Sequence, residues 1–241
     1  MRRAAAAVIV ALSLCVAARA EADDTAQARG AAAARARGRP YTMAEFSAGF
    51  LALPAAQVCL KSLTNCSHGE FSLALGIHNL YRYQAFGFGA GIEWATTMRN
   101  DSARGALKLE RDHSRRYFLV ETQVRYYFVQ RAALEWWAGA TLGGVVVNDS
   151  WSAKADRSPY ADTQLVGPRA ATLGTEGITA GIAGGFEWTF TKNWSWGMKL
   201  RYSSWFLPEE RKISPTLDVA SLSGRVDMFD FGAAIAYRIA L

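Results

Sequence analysis

The sequence predicts an all-β fold, an eight-stranded antiparallel up-and-down β-barrel that crosses a membrane. Three observations predict it. Stretches of about a dozen residues alternate large apolar side chains with small or charged ones, and a strand sends such alternate side chains to opposite faces. Eight such stretches follow one another. The connections between them run long, short, long, short, long, short, long, and the apolar faces carry no charge, as in barrels with short periplasmic turns and long extracellular loops.

Residues 1–22 read as a secretory signal peptide. Arg2 and Arg3 precede an apolar run, 4–16, too short to span a bilayer, and Ala18-Arg19-Ala20 and Ala20-Glu21-Ala22 both offer small residues for cleavage. Leu14 is too bulky for a lipoprotein site at Cys15. Cleavage removes three arginines and one glutamate, so the 27 basic and 21 acidic residues become 24 and 20, a net charge near +4. That excess is spread along the chain and does not argue for nucleic acid. Residues 23–41 are Ala/Arg-rich, with Arg29, Arg35, Arg37 and Arg39 but no apolar stripe. We read them as a flexible periplasmic segment, with a basic arm on lipid headgroups or cell wall as the alternative.

The barrel domain is 42–241. Strand one, about 43–53, sets Phe46, Ala48 and Phe50 against Glu45, Ser47 and Gly49. Strand two, about 69–80, sets Phe71, Leu73, Leu75 and Ile77 against Ser72, Ala74, Gly76 and His78, and a turn at 81–84 follows. Strand three, about 85–97, sets Phe86, Phe88, Ile92 and Trp94 against glycines and Glu93. After a polar loop, 98–114, strand four (about 115–129) sets Phe118, Val120, Val124, Tyr126 and Phe128 against Tyr117, Glu121, Gln123, Arg125 and Tyr127. Strand five, about 133–147, places Trp136 and Leu142 opposite Glu135, Trp137 and Thr141. The longest loop is 148–176. Strands six (about 177–190) and seven (about 194–205) put Ile178, Ile182, Phe186 and Trp188, then Trp194, Trp196, Met198 and Leu200, outward. Their inward residues include Glu187, Lys199 and Arg201. The last strand, 226–241, runs Phe229, Phe231, Ile235, Tyr237 and Ile239 against Asp230, Gly232 and Arg238.

An even strand number puts both ends of the barrel on the same side. Trp94, Phe118, Trp136, Trp188, Trp194, Trp196 and Tyr237 lie near strand ends, where lipid-interface aromatics belong. In this pattern the chain resembles the small eight-stranded outer-membrane β-barrels of the OmpA/OmpX/OmpW type. The closing Tyr237, Ile239, Leu241 resembles the C-terminal signal of that group, though Leu stands where Phe or Trp is commoner. The resemblance implies the outer membrane of a Gram-negative bacterium. It also implies contact with outer-membrane lipid and lipopolysaccharide, and assembly by the barrel-assembly machinery through the last strand. We expect a monomer.

An eight-stranded barrel is about wide enough to be filled by its own side chains. Glu45, Glu93, Glu121, Glu135, Glu187 and Asp230 face Arg125, Lys199, Arg201 and Arg238 there, and unpaired charge in a narrow lumen is costly, so a plug of salt bridges is expected. The alternative is a narrow porin-like channel for small polar solutes. A lipid A-modifying enzyme is the second alternative. His113-Ser114 with Glu121 is its best catalytic group, but neighbours on a strand point to opposite faces, so no catalytic residue is assigned. Cys59 and Cys66 are a disulfide candidate in an exported chain. With His68 they fall short of a zinc shell, and neither metal nor cofactor is expected. A soluble lipocalin-like barrel would need the inverse pattern, apolar inside and polar outside. An adhesion-like or structural role for the loops is the leading reading of function.

Overall fold

A computed structural model describes residues 40–54, 56, 69–98, 101–104, 110–131, 133–153, 170–214 and 218–241, with backbone alone at 101–104, 110–111, 153 and 170. The expected signal peptide at 1–22, most of the 23–41 tract, and Cys59, Cys66 and His68 lie outside the described residues. Nine strands are described: β1 (Tyr41–Leu53), β2 (Glu70–Tyr83), β3 (Phe86–Thr97), β4 (Asp101–Arg104), β5 (Glu110–Gln130), β6 (Leu134–Ala153), β7 (Ala170–Thr189), β8 (Trp194–Phe206) and β9 (Arg225–Ala240). Eight of them close on themselves. The order β3-β2-β1-β9-β8-β7-β6-β5 is antiparallel throughout and the β3–β5 pairing completes the ring. The short β4 pairs with β5 alone among the described strands and extends the β3 side above the ring. Closure leaves no free edge within the ring, the condition a sheet must meet in hydrocarbon.

The two faces of each strand differ as the alternation requires. On β2 the burial alternates without a break from Glu70 to Tyr83. Outward Leu142 and Ile182 are 59% and 65% exposed, whereas inward Glu93 and Arg125 are 2% exposed. The apolar outer band of β5 runs from Phe118 to Phe128. At about 3.3 Å per residue and a tilt near 40° it covers roughly 25 Å, the height of a hydrocarbon layer. Its upper limit is a row of polar outward positions. Thr96 pairs with Arg116, which pairs with Asn148, and Glu176 and Asp227 stand at the same limit on β7 and β9. At the opposite end the connections are tight. Gln84-Ala85 links β2 to β3, with Gln84 at φ 54°, and Leu241 N–H donates to the Pro40 carbonyl beside the β1–β9 seam.

Three boundaries differ from the sequence reading. The expected 81–84 turn is strand as far as Tyr83, so Arg82 points inward. The expected loops at 98–114 and 148–176 are partly strand. β4 with the start of β5 occupies the first, and β6 and β7 run on to Ala153 and back from Ala170 in the second. Together β5, β6 and β7 therefore stand as a wall above the apolar band.

Glycines line much of the inner face and leave room for long charged arms. Gly91 is Cα partner to His78 across β2–β3, and a Cβ there would collide with the imidazole. Gly91→Ala is expected to cost about 1–3 kcal/mol through this overpacking, read as a lower urea midpoint of the refolded barrel.

Candidate functional site

The interior is layered along the barrel axis. In the layer nearest the tight turns, Arg82 makes two hydrogen bonds to Glu135, at 2.8 and 3.0 Å, and lies 3.6 Å from the centre of the Tyr127 ring. Arg238 bridges Glu135 and Glu187, each at 3.2 Å. Arg125 forks onto Glu45 at 2.7 and 2.8 Å and reaches Glu187 at 3.2 Å, with its Nε donating to Gln123 Oε1. Tyr127 O–H donates to Glu187 at 2.9 Å, and Trp137 lies under the Arg125 guanidinium. Planar guanidinium on carboxylate is the strongest form of such a pair, and aromatic faces add to it.

A second layer sits one step higher. Lys199 contacts Glu93 and Asp230, both at 3.2 Å. Arg201 meets Glu93 at 2.6 Å and Asp230 at 3.3 Å, and also pairs with Glu121. His78, 3.8 Å from Glu45, stands between the layers. In the two layers six carboxylates (Glu45, Glu93, Glu121, Glu135, Glu187, Asp230) face five cations (Arg82, Arg125, Lys199, Arg201, Arg238). Near-balance leaves little net field to select a permeant ion.

Above the charges the interior turns apolar. Leu51, Leu119, Val145 and Met228 form a floor over the second layer, and Leu53, Val147, Trp205, Leu207 and Leu222 continue it upward. Tyr117 packs 5.3 Å from Trp205 and donates its O–H to Glu70 at 2.7 Å. Glu70 also takes Arg115 at 2.7 Å. The connection between β8 and β9 folds over this core rather than away from it. Its Ser221 donates backbone N–H and Oγ to Asp149, at 3.0 and 2.7 Å. Asp149 also holds His113 Nε2 at 2.8 Å, and His113 stacks on Trp151 with ring centres 4.8 Å apart. All four are buried. The sequence reading had no signal for this node, because His113 and Asp149 fell in expected loops.

His113 and Ser114 do not work together. His113 faces the interior and Asp149, Ser114 lies on the other face of β5, and Glu121 is taken by Arg201. In the Asp149 node the carboxylate stands between histidine and serine. A nucleophile needs the histidine in the middle. Among the described residues no group of three His, Cys, Asp or Glu side chains could hold a metal ion.

On the outer face, five of the interface aromatics gather at the tight-turn end. Trp188 meets Trp196 edge-on at 6.1 Å, Trp194 meets Tyr237 at 4.9 Å, and Trp136 lies 5.4 Å from Phe186. Trp94 and Phe118 are cross-strand partners at the opposite end of the band.

This closed ring of eight antiparallel strands is similar in fold to solved structures. Neisserial surface protein A (NspA) superposes with a TM-score of 0.53 at 12% identity, covering 83% of this chain and 97% of that one. A major outer membrane protein from Thermus thermophilus gives 0.50 at 12% identity, over 83% and 99%. The chain has the fold of the small eight-stranded outer-membrane β-barrels. No protein-family model matches this barrel, and no curated protein is similar to it in sequence. The fold alone assigns no role to it.

Proposed function

We propose that the chain is an integral outer-membrane barrel that does no chemistry, holds its lumen shut with ion pairs, and serves by presenting its extracellular side to partners. The observation that carries this reading is the two-layer network from Arg82 to Arg201, with an apolar floor above it. A solute would have to break paired, buried charges and then cross packed aliphatic side chains. The exposed apolar band supports lipid and lipopolysaccharide as its surroundings. Tyr237 and Ile239 on β9 support assembly from the C-terminal strand, and the closed ring supports a monomer. Purified protein in planar bilayers is expected to give no steady current at about 1 M salt, where surface charge is screened. A stable open-channel current would replace this reading with the narrow pore.

A further inference from the structure

Among the described residues, the polar row that ends the apolar band holds one cation with no carboxylate to neutralise it. Arg116 points outward, is exposed, and makes no ion pair with any described residue. Its cross-strand neighbours on the same face are Thr96 on β3 and Asn148 on β6. Arg225, at the same rim on β9, differs: it is paired with Asp227 at 3.2 Å. Directly below Arg116, Phe118 and Trp94 form the end of an apolar groove of about 700 Å³ on the outer wall. Its middle is shallow-walled because Ala48 and Ala233 are opposite each other across the β1–β9 seam, while Phe46 and Ile77 flank it.

The geometry points to a lipid site, in which a phosphorylated lipid of the outer leaflet, of the lipid A type, sets a phosphate on Arg116 and an acyl chain in the groove. An unpaired guanidinium flanked by an amide and a hydroxyl offers a fork of donors to a phosphate, and a phosphate at this height brings its chains to the groove's depth. Charge and shape thus select the same molecule. A neutral lipid would fill the groove but leave the arginine unmatched. This inference rests on the membrane reading above.

The test is native mass spectrometry of the refolded mature chain in micelles, titrated with diphosphoryl lipid A and with its dephosphorylated counterpart. Wild type is expected to prefer the diphosphoryl form by on the order of tenfold, the scale of one charge-assisted contact. Arg116→Ala should erase the preference and Arg116→Lys restore part of it. Arg225→Ala, which removes an equal charge from the same rim, should keep it. Ala233→Phe should weaken retention of both lipids without altering their ratio. A preference that survives Arg116→Ala, or a wild type with none, overturns the site. A wild-type chain that shows no heat-modifiable gel mobility in micelles overturns the membrane reading itself, and the site with it.

Discussion

Replacing Arg125 with leucine is expected to cost about 3–5 kcal/mol of stability, because it leaves buried carboxylates without their counter-charge. Arg125 forks onto Glu45, touches Glu187 and is 2% exposed. Glu45 keeps only the imidazole of His78, at 3.8 Å, within ion-pair range. Glu187 retains Tyr127 and Arg238, so the cost concentrates on Glu45. Removing both members, as Glu45→Leu with Arg125→Leu, should therefore destabilise less than Arg125→Leu alone. Arg238→Leu should cost less as well, since Arg238 is 15% exposed and Glu135 keeps Arg82. Urea unfolding in detergent, followed by tryptophan emission, orders these variants. A single variant as stable as wild type would show that the charges are hydrated rather than buried.

Asp149→Ala is expected to release the β8–β9 connection from the top of the barrel. Asp149 is fully buried and accepts two hydrogen bonds from Ser221 while holding His113. Hydrogen bonds to a charged acceptor contribute about 1.5–3 kcal/mol each, so losing this hub should free Ser221 and the neighbouring Leu222 together. The expected result is cleavage within 207–224 by a protease added to intact cells at a concentration that spares the wild type. Asp149→Asn, which keeps an acceptor oxygen for Ser221, should fall between the two. Equal resistance in all three would mean that the apolar contacts of Leu207 and Leu222 hold the segment unaided.

Most of the ring was legible because hydrocarbon imposes one rule on every outward residue. Phe71, Leu73, Leu75 and Ile77 read as one face at sight, and the same holds for Phe229 to Ile239. The strands became illegible where they leave that medium. Beyond Val147 the outward positions are Asn148, Ser150 and Ser152 and the inward ones Asp149 and Trp151, so the contrast that marked a strand inverts and the stretch looks like loop. The start of β5 is hidden in the same way, with His113, Arg115 and Tyr117 inward and Ser114 and Arg116 outward. Arg82 was missed for a local reason. It precedes a two-residue turn, and Arg and Tyr in sequence there resemble solvent-facing turn residues rather than the end of a strand. Alternation shows which charges share the lumen, but not which carboxylate an arginine meets, since that depends on barrel stagger. Arg201 reaches Glu93 and Glu121 across the ring from strands far away in the chain.

Those distant partnerships carry a consequence for biogenesis. Glu93 and Lys199 are separated by 106 positions, Glu93 and Arg201 by 108, and Glu135 and Arg238 by 103. Within the two layers, only the contacts of Asp230 with Lys199 and Arg201 lie inside one hairpin, β8–β9; every other cation–carboxylate contact there joins strands that are not neighbours. Zipping the first ribbon to the last brings Glu45 to Arg125 and Glu93 to Lys199 and Arg201 across the ring, so the seam acts as a fastener whose closing silences most of the interior. A half-curled intermediate would be left with most of these charges bare, an electrostatic penalty that favours rapid closure of the ring.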